Sequence, residues 1–231
     1  PPVPPLNLIG DFGGGGMLLA LGIVSALLET KSSGEGQVID AAMTDGSSLL
    51  MTMMYSMQQS GFWNLERQTN LLDGAAHFYD TYECKDGKYI SIGSIEPQFY
   101  DLLCEKAELS PDQFGDQMKR DAWKEKKDLI SKVFLTKSRD EWCDLMEGTD
   151  VCFAPVLDMS EAPRHPHNIA RKTFIELEGV TQPAPAPRFN RTENEVSLPP
   201  ALAGEHSKEI LASLGLTEEE SRSLLESGAV A

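Results

Sequence analysis

The sequence predicts an α/β protein carrying a second, smaller α+β domain, and three observations carry that prediction. Residues 7–61 run as glycine turn, apolar helix, short apolar strand and helix, the rhythm of an α/β layer. Two alternating runs then flank Lys85-Asp86-Gly87-Lys88, which is a hairpin signal. The chain of 231 residues, 41% hydrophobic and 24% charged, is long enough to bury a sizeable core in one or two domains.

The opening stretch "NLIGDFGGGGMLLALG", residues 7–22, places Asp11 and a glycine run before Met17–Leu28, apolar almost all round, which predicts a buried helix ending near "KSSGEG". "QVIDAAM" reads as a short strand, and "DGSSLLMTMMYSMQQSG" as a helix stopped by Gly61. After the hairpin, Pro97 opens a helix at its first turn, and Ser110-Pro111 starts a shorter one. Residues 120–137 are amphipathic, with Trp123, Leu129, Ile130 and Val133 on the apolar side, and Ser138 with Glu141 forms a capping box for the next helix. Residues 151–168 are irregular, and a proline-rich crossing leads to two short terminal helices, the last capped at Thr217.

Net charge of −16 argues against nucleic acid or an anionic membrane as the natural surface partner. The four cysteines, Cys84, Cys104, Cys143 and Cys152, form no CxxC pair and suit buried or partly buried free thiols in a reducing compartment. Met17–Leu28, the longest apolar candidate, falls short of the ~20 residues of a membrane span. His165 and His167 have no companion ligands, so no metal site is expected.

Asp11 admits two readings: an N-cap, or an acid/base beside glycine amides able to hold a developing oxyanion. Glu96, leaving a strand and entering a helix, admits two as well: a first-turn acid complementing the helix dipole, or an acid orienting a histidine. Met43, Met51, Met53, Met54 and Met57 are either core or an adaptable apolar surface. His77, beside Phe78 and Tyr79, reads as structural or pocket-lining.

In order along the chain, "PPLNLIGDFGGGGM", "GQVIDAAMTDG", "NLLDGAAHFYDTYEC", "DGKYISIGSIEPQFY", "TDVCFAPVL" and "PAPRF" resemble the α-methylacyl-CoA racemase family of the class III CoA-transferase superfamily, over about residues 1–190. The resemblance implies a class III CoA-transferase-like fold. Residues 1–45 and 185–231 would form part of a Rossmann-like large domain, 46–75 a helical connection, 76–155 the small α+β domain and 156–184 a return linker. It implies racemisation of 2-methylacyl-CoA thioesters by 1,1-proton transfer through an enolate, with no cofactor, coenzyme A being part of the substrate. Asp11 matches the family's catalytic aspartate, and Glu96 the acid that supports its catalytic histidine. Asn7, Tyr79, Gly13 and Gly14 match substrate-side positions, and Met43, Met53, Met54 and Met57 the surface that receives the acyl chain. The family's histidine belongs to a region ahead of "PPLN" and has no counterpart in these residues; His77 does not align with it. Little activity is therefore expected of this chain alone. An interlocked homodimer is implied, in a mitochondrion or peroxisome of a eukaryote or the cytoplasm of a bacterium. Two alternatives remain: a class III CoA-transferase with Asp11 as nucleophile, and an inactive short form that acts by dimerising.

Overall fold

The computed structural model describes residues 2–196 and 198–230. The chain divides into two compact units, Pro1–Val156 and Leu157–Ala231.

The first unit opens with a π-helix, Leu8–Met17, that continues directly into α1, Leu18–Ser33. The glycines explain the wide turn: without side chains, the backbone adopts i→i−5 bonding at no steric cost, as in the 3.2 Å bond from the Phe12 amide to the Asn7 carbonyl. Asn7 is the N-cap residue. Asp11 therefore lies inside the helix's opening turn and is not its cap.

The helix 8–33 differs from the sequence expectation in two ways. No residue of α1 is buried; Leu21, Val24, Leu27 and Leu28 are 61–68% exposed. An all-round apolar pattern predicts a helix covered on every side, and no described segment supplies that cover. Because the glycine run joins the helix, Leu8–Ser33 is also 26 residues long and contains an 18-residue stretch of mean hydropathy 1.6, long and apolar enough to cross a membrane by length and composition alone. A core helix meets the same test.

Residues 37–42 form no strand. Ala42 is extended, at φ −75° and ψ 135°, but no described strand lies beside this segment to complete a ladder. The following helix is broken into α2, Met43–Leu50, and α3, Thr52–Gln59, at Met51. The π-helix crosses α2 at Gly14 and Gly46. A Cβ on Gly14 would lie 2.7 Å from the Ser47 amide nitrogen, and one on Gly46 would collide with the Gly14 carbonyl. Both residues must be glycine for the two backbones to touch.

The rest of this unit follows the sequence closely. β1, Tyr79–Glu83, and β2, Tyr89–Gly93, pair antiparallel in the register Tyr79↔Gly93, and β3, Phe153–Pro155, adds to β2. Gly87 takes φ +75° in the hairpin turn, which closes through the Gly87 amide and the Cys84 carbonyl at 2.9 Å. Four helices pack on one face of this sheet: α4, Pro97–Lys106; α5, Pro111–Phe114; α6, Arg120–Phe134; and α7, Arg139–Met146. Ser138 and Glu141 make the expected capping box. Phe78, Ile90, Leu103, Ile130, Phe134 and Trp142 are fully buried in one core cluster.

The second unit holds a 3₁₀ turn at Ala162–Arg164, α8 at Pro166–Ala170, and a hairpin of β4, Phe174–Leu177, and β5, Val180–Pro183. It ends with α9, Ser207–Ser213, and α10, Glu218–Glu226, the latter capped by Thr217 and Glu220.

Candidate active site

Asp11 is exposed in the first turn of the π-helix, and its carboxylate has no hydrogen-bond or ion-pair partner among the described residues. A helix N-terminus presents unpaired amides and the positive end of the dipole, so this carboxylate lies where negative charge is stabilised. Gly13 is half-buried, and Gly14 is buried against α2. Part of the glycine run thus serves helix-to-helix contact. Asn7 is exposed, with its side chain free of any capping bond.

On α2 and α3, Met43 and Met53 are 51% exposed, and Met54 and Met57 are half-buried. The methionines form a partly open surface and are not core.

Tyr79 begins β1, half-buried, with its ring against the cross-strand Gly93. It borders an open cavity of about 770 Å³ on the free face of the sheet, shared with Leu72, Asp80, Ser91, Gly93 and Cys152, within the usual size range of small-molecule sites. Asp80 is paired with Lys127, whose ammonium also donates to the Gly74 carbonyl and so ties the cavity's wall to β1.

Glu96 is the N-cap of α4, extended at φ −71° and ψ 143°. Its carbonyl accepts the Phe99 and Tyr100 amides, both at 3.0 Å, yet its exposed carboxylate makes no capping bond. An acid used only as a cap would bond the free helix amides; this one is left available. No hydrogen bond or ion pair joins Asp11 to Glu96 among the described residues.

His77 belongs to the core. Its Nε2 lies 2.7 Å from the Tyr100 hydroxyl, which itself donates to the Phe114 carbonyl at 2.8 Å. The hydroxyl has one proton, so the imidazole must donate, leaving a neutral ring with Nδ1 buried and unpartnered. Burial, with the nearby Lys126 ammonium second, lowers its pKa to about 3. Near neutrality the ring is uncharged, and its one N–H is committed to the Tyr100 hydroxyl.

All four cysteines are free; Cys84 is buried, Cys104 and Cys143 are half-buried, and Cys152 is exposed against expectation. Cys152 takes a left-handed φ of +58° beside β3, which turns it out of the core. Sequence reasoning also missed Gln117 and Lys126. Lys126 is 5% exposed and falls between Trp123 and Ile130 on the buried stripe of α6; a lysine at core spacing was the available signal. Gln117 has no such signature.

Residues 1–207 match the description of CoA-transferase family III. The chain belongs to that family. It is 43% identical over 224 residues to the α-methylacyl-CoA racemase of Mus musculus and 42% identical over 221 residues to that of Homo sapiens. Each alignment covers 95% of this chain and 58% of the relative, so the chain spans less than two thirds of either protein's length. A CaiB/BaiF family protein from Brucella suis superimposes with a TM-score of 0.70 at 19% identity, over 93% of this chain and 57% of that one. The mixed helix and sheet of the first unit is thus the family's fold.

Proposed function

We propose that this chain supplies the aspartate half of a 1,1-proton transfer on 2-methylacyl-CoA thioesters. The observation that carries the reading is Asp11: an acid with a free carboxylate in the opening turn of a glycine-rich helix, within a stretch 43% identical to a mammalian racemase. The carboxylate takes the α-proton, and the C–H electron pair moves toward the thioester carbonyl to give an enolate. The Asp11 amide and the helix terminus stabilise the enolate oxygen. Reprotonation from the opposite face inverts the centre and needs a second acid/base group in its protonated form, for which the resemblance implies a histidine from another part of the fold, oriented by Glu96. Asn7, Gly13 and Tyr79 contact the substrate, while Met43, Met53, Met54 and Met57 receive an acyl chain whose shape a flexible thioether surface can follow. The thioester itself acidifies the α-carbon, so the scheme requires no cofactor.

The test is α-proton exchange of a 2-methylacyl-CoA in deuterated water, with this chain and with Asp11→Asn. Exchange that depends on Asp11, with little inversion, is the expected result. Equal exchange in both proteins sinks the assignment of Asp11.

The family description favours a second reading, a CoA-transferase in which Asp11 attacks the thioester and forms an anhydride. Ping-pong kinetics or a hydroxylamine-trapped acyl group at Asp11 would establish it. The exposed apolar surface of α1 favours a third, a short form that acts by pairing with a longer chain; co-purification with such a chain and no exchange would establish that one.

A further inference from the structure

Between the end of β2 at Gly93 and Pro97 of α4, only Ser94, Ile95 and Glu96 turn the backbone from sheet to helix. Ser94 is fully buried; its amide donates to the Phe78 carbonyl at 3.0 Å and its hydroxyl to the Val151 carbonyl. The Ile95 amide donates back to the Gly93 carbonyl at 2.9 Å. The carbonyls of Ser94 and Ile95 both receive hydrogens from one group, the Gln117 side-chain amide, at 2.9 Å each. A primary amide has two N–H bonds, and here each has its own acceptor.

Gln117 is itself fixed on both sides. Its carbonyl accepts the Trp123 indole N–H at 2.8 Å. The residue before it, Asp116, is held at φ +49°, a left-handed conformation that costs a non-glycine residue energy and persists only where its surroundings enforce it. The enforcing group is Lys126, whose buried ammonium donates to the Asp116 carbonyl at 3.0 Å and to that of Gly115.

We propose that Gln117 is the positioning residue for Glu96: by holding the Ser94 and Ile95 carbonyls it sets the direction in which the Glu96 side chain leaves the turn. A carboxylate without a capping bond has no local interaction to orient it, so its aim depends on the backbone that carries it. The functional weight of the clamp rests on the proposed role of Glu96, but its existence is testable without any reaction.

Cys152 is the probe. Its carbonyl accepts the Gly93 amide at 2.9 Å, and burial, then the charges of Glu96 and Asp150, raise its thiol pKa. The rate of Cys152 alkylation by iodoacetamide, followed against pH by peptide mass spectrometry, is compared in the unaltered protein, Glu96→Gln, Gln117→Met and the double variant. Glu96→Gln is expected to shift the Cys152 curve to lower pH, and in the Gln117→Met background that shift should fall by half or more. A shift of the same size in both backgrounds overturns the proposal, as does no shift from Glu96→Gln in the unaltered protein. Circular dichroism checks the fold; if Gln117→Met does not fold, Gln117→Asn, which keeps the amide but cannot span both carbonyls, replaces it with the same two outcomes. Loss of α-proton exchange in Asp11→Asn reports on the reaction alone, whereas coupling between Glu96 and Cys152 reports on the clamp alone.

Discussion

In residues 76–156, Phe78, Ile90, Leu103, Phe134 and Trp142 are fully buried, and their aromatic rings meet edge to face, as between Phe134 and Trp142 at 5.2 Å. In residues 8–59, leucines and valines of equal hydrophobicity stand open to solvent, and Gly14, Gly15 and Gly46 are the residues classed as buried. Apolar content does not separate the two regions. What separates them is whether the chain returns to cover its own apolar surface. A hairpin and four helices close over one sheet face in the first case; in the second, three consecutive helical segments touch mainly where glycines let backbones meet. Residues 76–156 therefore carry a closed core of their own, whereas the apolar side chains of residues 8–59 are left largely uncovered among the described residues.

That contrast can be broken most forcefully at Phe134. Phe134→Ala removes the ring that links Tyr82 to Trp142 and is expected to cost about 3–5 kcal/mol in urea denaturation, seen in tryptophan fluorescence. A loss below about 1 kcal/mol would mean that the small domain is no better packed than the helices.

The buried His77 gives the next largest effect. Its folded pKa, about 3, lies below the ordinary 6.5. The unfolded chain therefore binds the extra proton first, and the stability held above pH 6.5 is lost as pH falls from 6.5 toward 3. The steepest slope is about 1.4 kcal/mol per pH unit. His77→Gln, which keeps a donor for the Tyr100 hydroxyl, should flatten the slope measured by denaturation at stepped pH. An unchanged slope would place the acid sensitivity elsewhere.

Gly46→Ala is the smallest and the most local. Forcing the π-helix and α2 apart should cost about 1–3 kcal/mol in the helical region and speed its amide exchange, leaving protection in β1, β2 and α6 untouched. Slower or equal exchange across residues 8–59 would contradict the backbone contact, and a change spread over both regions would show that they unfold as one.

The same contrast separates what was legible in the sequence from what was not. Lys85-Asp86-Gly87-Lys88, Pro97, and the pairs Ser138 with Glu141 and Thr217 with Glu220 were readable because turn and cap chemistry is settled within four residues. The exposure of α1, the unpaired segment 37–42 and the π-helical turn at Asp11 were not, because each depends on a surface outside its own stretch of chain. Asp11 and Glu96 stood out as acids at element boundaries, and the family resemblance gave them roles. Gln117 could not be found this way, since it lies 23 and 22 residues from the Ser94 and Ile95 carbonyls it holds.

Lys126 places a cation beneath the carbonyls of residues 114–116. Proteins that gather carbonyl oxygens in this way otherwise recruit a sodium or potassium ion from solution, and the loop then tightens or loosens with the ionic composition around it. Here the positive charge is tethered to α6 and present at a fixed stoichiometry. Exchanging sodium for potassium or lithium leaves such a turn as it was, so the geometry handed on to Gln117 is insulated from the salt in which the protein finds itself.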